Sequence, residues 1–274
     1  LPNYIKASQD LNNMLSYINE ISQDDPYSSY ALDLLAIVNS CWGDYGSINL
    51  RSNNIYGLVI TAQAAWTGEK IDLYEILDHM GENFYGLTEK SQKRYFSQII
   101  YDFSKINTNL AKNNLDFPQK TFDHIFRIPF HNNSRELDFL LNDISEDLLN
   151  DMLKRILELK PHIKNHYDYF DGLTNSLNLL IMAKEKEKLH IKYKKLYKTI
   201  KPENYEFIQQ IDYFVNLIDK IKSNYKDNWL KFAQKPMIER PMARFNQVKL
   251  FCRKISSRLN DDYKLIPPSQ LFLP

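Results

Sequence analysis

Apolar residues recur every three or four positions along almost the whole chain, and this spacing restricts most strongly what the chain can fold into. Such spacing places the apolar side chains on one face of a helix. Only 7 of the 274 residues are glycine, whereas sheets need glycine at their tight turns. The pattern therefore predicts an all-α fold, a multi-helix globular bundle of roughly nine or ten helices without a sheet.

Turn residues divide this pattern into separate helices. The segment 28–42 is apolar nearly all round and is expected to form a central, buried helix. Ser52 is expected to cap a helix that runs to about residue 66, and a further helix should end near Gly81. Prolines separate the later segments. Helices are predicted from Thr88 onward and over 134–160, 172–200, 203–223 and 242–260.

Charge is unevenly distributed along the chain, although the total is only +1. Residues 1–82 hold 3 basic and 11 acidic side chains, a net charge of −8, and the remainder has a net charge of +9. We expect an acidic lobe over 1–105 and a basic lobe over 106–274 that packs on the first. The two lobes either face different partners or complement each other internally. The near-neutral total argues against a nucleic-acid partner.

No apolar run approaches the ~20 residues that a membrane span needs, so the protein is expected to be soluble or at most peripheral to a membrane. The two cysteines, Cys41 and Cys252, lie far apart in apolar surroundings. Such cysteines are typical of buried, reduced thiols, so a cytoplasmic protein is expected.

The sequence carries no motif of covalent or cofactor chemistry. It has neither a glycine-rich phosphate loop nor a Gly-x-Ser-x-Gly elbow, so no cofactor is expected. His162 and His166 are four apart, and a helix would place both rings on one face, as a metal pair requires. Because Pro161 puts this pair at a helix start, an ordinary surface pair is favoured and no metal site is predicted.

The segment Lys184 to Lys201 contains eight lysines with apolar residues between them. As a helix it could contact an anionic membrane weakly with its basic side. The favoured alternative is a solvated helix whose lysine stems cover its own apolar stripe.

Four short motifs occur in order within residues 15–75, and together they resemble a known catalytic segment. The family is the Vps-nine-type exchange domain, the Rabex class of guanine-nucleotide exchange factors for early-endosomal Rab GTPases. The separation of 41 positions between Asp33 and Tyr74 is similar to that between the key Asp and Tyr of the family. The motifs are Ile21–Pro26, Ala31–Val38, Leu50–Asn53 followed by Tyr56, and Thr67–Glu69 followed by Tyr74.

The resemblance implies that Asp33 and Tyr74 are catalytic. The acid would enter the nucleotide site of the GTPase, pair with its P-loop lysine and repel the β-phosphate. The tyrosine would pack against the opened switch region. The residues that would bind the small Rab-type GTPase are Leu34, Ile37, Asn53, Tyr56, Glu69 and Leu73.

Two other functions are compatible with the sequence. A non-catalytic helical adaptor or membrane-peripheral scaffold would place Asp33 and Tyr74 apart, or bury Tyr74. A metalloenzyme that uses His162 and His166 is the least favoured. The resemblance, in a sequence whose composition suggests an AT-rich genome, also implies a bacterial effector that is secreted into the host cytosol and acts on vesicle traffic at endosomal membranes.

Overall fold

The computed structural model describes residues 13, 51–67, 72–112, 125–126, 144–196, 204–232 and 238–262. All regular elements in these ranges are helical, which confirms the all-α prediction. The described ranges contain seven α-helices, against nine or ten predicted for the whole chain. They are α1 (Ile55–Thr67), α2 (Leu73–Asn83), α3 (Lys90–Lys112), α4 (Glu146–Leu159), α5 (Tyr167–Leu196), α6 (Asn204–Phe232) and α7 (Glu239–Asp262).

Two short 3-10 helices complete the described elements. Arg51–Asn54 leads into α1, and Lys160–His162 follows α4. The predicted central helix over 28–42 lies outside the described residues.

Two predicted helix ends can be compared with the structure. α2 ends at Asn83, close to the predicted end near Gly81, and the glycine lies inside the helix. A Cβ on this glycine would lie only 3.2 Å from Cδ1 of Phe96. The glycine therefore permits a close approach of α2 and α3 rather than a helix stop. α6 continues nine residues past the predicted end at 223, because Tyr225, Asn228 and Trp229 extend its buried face at helical spacing.

The chain divides into two compact units, and the division is not a single point in the sequence. The first unit comprises 1–112 and 152–173, and the second comprises 113–151 and 174–274. Residues 152–173, which the sequence prediction placed in the second lobe, thus pack in the first unit. Helical periodicity shows that a face is buried but not which helices cover it.

The core of the first unit is an aromatic cluster drawn from distant parts of the chain. Phe96 of α3 lies 5.1 Å from the ring of Tyr85, and 6.5 Å from the rings of Tyr56 and Phe170. All four side chains are fully buried. The hydroxyls of Tyr56 and Tyr85 are 2.8 Å apart and satisfy each other inside this core. Aromatic packing therefore joins α1, α3 and α5 with the segment that follows α2.

The second unit has its own aromatic core on α6 and α7. The ring of Phe245 lies 4.9 Å from Phe126 and 5.5 Å from Tyr225, and Tyr225 stacks on Trp229. The ammonium group of the buried Lys186 donates to the carbonyl of Ile125 at 2.9 Å. This bond compensates for the burial of a charged group.

Lysines in the described part of the basic segment, Lys184–Leu196, form bonds within the second unit. Lys188 lies 2.5 Å from Glu146 and Lys192 lies 2.7 Å from Glu206. Burial alone would lower the pKa of Lys188, but its bonds to Glu146 and Glu185 outweigh that effect and raise it. These ion pairs favour the predicted solvated helix for this segment. Its contact with an anionic membrane stays a prediction. Among the helices described, none has both the length and the apolar character to cross a membrane.

Candidate functional site

Tyr74 lies in the first turn of α2, immediately after the cap of that helix. The carboxylate of Asp72 accepts hydrogen bonds from the backbone N–H groups of Tyr74, at 2.8 Å, and Glu75, at 3.4 Å. Such a cap satisfies the free amides of the first turn and places Tyr74 at a defined position. The side chain of Tyr74 is half-buried, and its hydroxyl donates to Oε1 of Gln98 at 3.3 Å. Burial raises the pKa of Tyr74, so the phenol keeps its proton at neutral pH.

The ring of Tyr74 belongs to a row in which two adjacent aromatic rings lie between two cations. The guanidinium carbon of Arg94 lies 4.1 Å from the centre of the Tyr74 ring. The ring of Tyr101 lies 4.9 Å from that of Tyr74, and the ammonium of Lys105 lies 4.5 Å from the centre of the Tyr101 ring. We call Arg94, Tyr74, Tyr101 and Lys105 the cation–aromatic row. Three of its members project from α3 at helical spacing, and Tyr74 is supplied by α2.

A hydrogen-bond chain runs beside the row and fixes its position. The amide group of Gln98 donates to one carboxylate oxygen of Asp102 at 2.9 Å. Arg155 of α4 donates to the other oxygen, also at 2.9 Å. Arg155 is mostly buried, with 16% of its side chain exposed, so this charged bond is stronger than a typical surface ion pair. The chain therefore links the hydroxyl of Tyr74 to α4 through two residues of α3.

Four of the predicted site residues lie outside the described residues. These are Asp33, Leu34, Ile37 and Glu69. The predicted juxtaposition of Asp33 with Tyr74 therefore stays a prediction. Leu73 is half-buried in the first turn of α2, next to Tyr74.

Two predicted partner-binding residues are part of the core instead. Tyr56 is fully buried with its hydroxyl bonded to Tyr85, and Asn53 is only 8% exposed. Neither side chain presents a surface to a partner in this conformation. Their spacing in the sequence suggested a motif but did not reveal that α5 packs on Asn53 or that Tyr85 and Phe96 contact Tyr56.

Gly172 of α5 explains how closely the Ser52–Asn53 turn is packed. A Cβ on this glycine would overlap the hydroxyl of Ser52 and lie 2.8 Å from Oδ1 of Asn53. We expect Gly172→Ala to lower the free energy of unfolding by about 1–3 kcal/mol, although alanine is the better helix former. Urea denaturation followed by circular dichroism measures this change.

Gly57 of α1 provides the matched control for that substitution. A Cβ at Gly57 meets no atom within 4 Å, so Gly57→Ala is expected to stabilise by up to about 1 kcal/mol. A stabilised Gly172→Ala variant would contradict the close packing of α5 against the turn.

The two histidines considered as a metal pair do not share a helix face. His162 ends a 3-10 helix, and its Nδ1 lies 3.1 Å from the amide of Gln92. His166 precedes α5 with a φ of 52°, and its ring stacks on Phe84 at 4.0 Å. Because the chain leaves the helical conformation between them, the two rings do not have the i, i+4 geometry that a metal pair on a helix would need. Across the described ranges, no group of three or more His, Cys, Asp or Glu residues could hold a metal ion.

Sequence reasoning missed most of the residues around Tyr74. A signal was present, because polar and aromatic residues at 94, 98, 101 and 105 form a stripe along α3 at helical spacing. Nothing in that stripe indicates that Tyr74 fills the gap between Arg94 and Tyr101, or that Arg155 binds Asp102. Comparisons of the chain with protein-family models, with curated proteins and with solved structures found no match.

Proposed function

We propose that the protein is a guanine-nucleotide exchange factor that promotes GDP release from a Rab GTPase of the Rab-five, early-endosomal subfamily. The proposal rests on the ordered motifs of residues 15–75 and on one structural observation. Tyr74, the residue that the motifs single out as catalytic, is half-exposed at the start of α2 rather than buried in the core. A scaffold that used this tyrosine only for packing would have buried it.

The chemistry of exchange requires an acid and an aromatic contact, without a covalent step. A Rab holds GDP largely through a P-loop lysine and Mg²⁺ at the phosphates. The carboxylate of Asp33 would pair with that lysine, repel the β-phosphate and disfavour the metal. The nucleotide-free GTPase is thereby stabilised relative to its GDP complex, and GDP leaves faster.

Tyr74 would act as a rigid contact for the opened switch region of the GTPase. Arg94 covers one part of its ring and Tyr101 lies against another, so the exposed edge of the ring remains for the partner. Because Gln98 holds the hydroxyl, little conformational entropy is lost when a partner binds.

The test is the release of fluorescent GDP from a panel of Rab GTPases. We expect the wild type to accelerate release from Rab-five subfamily members. Asp33→Asn keeps the size of the side chain but removes its charge, and it should reduce the acceleration by at least about tenfold. Tyr74→Ala should weaken exchange by a similar factor because it removes an interface aromatic residue. Asp212→Asn, at an exposed acid of α6, is the matched control and should leave the rate unchanged.

Two outcomes would contradict different parts of the proposal. If no Rab in the panel responds to the wild type, the exchange function is wrong and a non-catalytic adaptor is favoured. If exchange persists in folded Asp33→Asn and Tyr74→Ala, the function stands and the assignment of these residues is wrong.

A further inference from the structure

Arg94 is an exposed cation whose described contact is an aromatic ring rather than a carboxylate. Its guanidinium lies over Tyr74, and no acid among the described residues lies within ion-pair distance of it. At the other end of the row, Lys105 has a side chain that is 53% exposed and forms a long ion pair with Asp102, at 4.0 Å. Both cations are therefore exposed to solvent, where a ligand can reach them.

The cation–aromatic row also holds these two charges in place. Each cation rests on a tyrosine ring, and the two rings lie against each other. Eleven positions of α3 separate Arg94 from Lys105, which corresponds to about 16 Å along the helix axis. An extended peptide covers that distance with about five residues. Carboxylates near the two ends of such a segment could meet both cations at once.

We propose that the cation–aromatic row is a docking surface for an acidic segment of a partner protein. Tyrosine and arginine are the residue types that dominate protein–protein binding energy. Cations that are already oriented by stacking lose little side-chain entropy when they bind a carboxylate. This surface does not include the proposed acid Asp33. The identification of the partner as a GTPase rests on the proposed function, but the docking surface itself does not.

The arrangement fits an acidic protein segment better than nucleic acid or a membrane. The two rings are occupied by each other and by the cations, so their faces do not offer the stacking platforms that single-stranded nucleic acids require. Lipid-binding basic clusters contain about 4–8 cations. The row has two, and Asp102 lies beside them.

Binding of a fluorescein-labelled oligoglutamate peptide, followed by anisotropy at low and at physiological salt, tests the proposal. We expect salt-sensitive binding that the double variant Arg94→Gln/Lys105→Gln weakens about tenfold. The matched control is Arg240→Gln/Arg244→Gln, which removes the same charge from exposed positions on α7. The control should bind within about twofold of the wild type. Circular dichroism verifies that both variants are folded.

The outcomes separate this inference from the proposed function. Failure of the wild type to bind the peptide at low salt, or equal losses in the two double variants, would overturn the docking surface. Tighter binding of an oligothymidine or of phosphatidylserine vesicles, lost in the row variant, would also overturn it and assign the row to another ligand. GDP release plays no part in this measurement, so a Rab panel without any response would remove the exchange function and leave the peptide result intact.

Discussion

Phe96→Ala is expected to lower the free energy of unfolding by about 3–5 kcal/mol, the usual cost of removing a fully buried phenylalanine. Its ring is fully buried and contacts the rings of Tyr56, Tyr85 and Phe170. The substitution removes apolar contacts and leaves a cavity that three other aromatic residues fill only in part. Because the three come from different helices and a connecting segment, the loss weakens the first unit as a whole. Urea denaturation followed by circular dichroism measures it.

Trp66→Ala is the control for that experiment. Trp66 lies on α1 of the same unit but is 89% exposed, so its loss should change the free energy of unfolding by no more than about 0.5 kcal/mol. A change of less than 1 kcal/mol in Phe96→Ala would contradict the central position of this ring. Similar losses in both variants would show that aromatic content, rather than burial, determines the effect.

Cys252 is expected to react with thiol reagents at least about a thousandfold more slowly in the native protein than an ordinary cysteine, because the thiolate is the reacting species. It is fully buried, and burial raises the pKa of its thiol from 9.0 to about 12, against the opposing field of Lys186. A pH of 8 lies below both the ordinary and the raised pKa of the thiol. Each unit by which burial raises the pKa therefore lowers the thiolate fraction about tenfold. The steric effect of burial slows the reaction further.

The measurement uses the Cys41→Ser variant, so that Cys252 alone reports. The rate of reaction with a chromogenic disulfide is compared in native buffer and in denaturant. We expect a very slow native reaction, a rate that increases with pH through the alkaline range, and an ordinary rate after unfolding. A native rate within tenfold of the denatured one would show that α7 opens readily around this residue.

The helices could be predicted from the sequence because their signal is local. The stripe Tyr95, Phe96, Ile99, Ile100 and Phe103 alone predicts the buried face of α3, and all of these residues except Tyr95 are buried. Helix ends were less predictable. Gly81 lies inside α2 rather than after its end, and its missing Cβ leaves space for Phe96 from the next helix. A residue's role at a helix end thus depends on a neighbour that local spacing does not reveal.

The candidate site was predictable only in part. Tyr74 was selected from its motif, and its cap Asp72 lies close to it in the sequence. Arg94, Gln98 and Tyr101 reach it from α3, however, and Arg155 reaches the same network from α4, 81 positions further along the chain. Tyr56, which the motif suggested as a partner-binding residue, is buried in the core and bonded to Tyr85, a position that the motif alone does not reveal.

The sequence by itself therefore determined the helical class and the approximate extent of the described helices, whereas the resemblance of residues 15–75 to an exchange domain stays a prediction. The reason is that these depend on side chains within a few positions of one another. Only the tertiary structure decided that residues 152–173 pack in the first unit, that His162 and His166 contact different residues, and that Tyr74 lies between Arg94 and Tyr101. These features depend on which apolar faces cover each other, and many pairings of amphipathic helices satisfy the same local pattern.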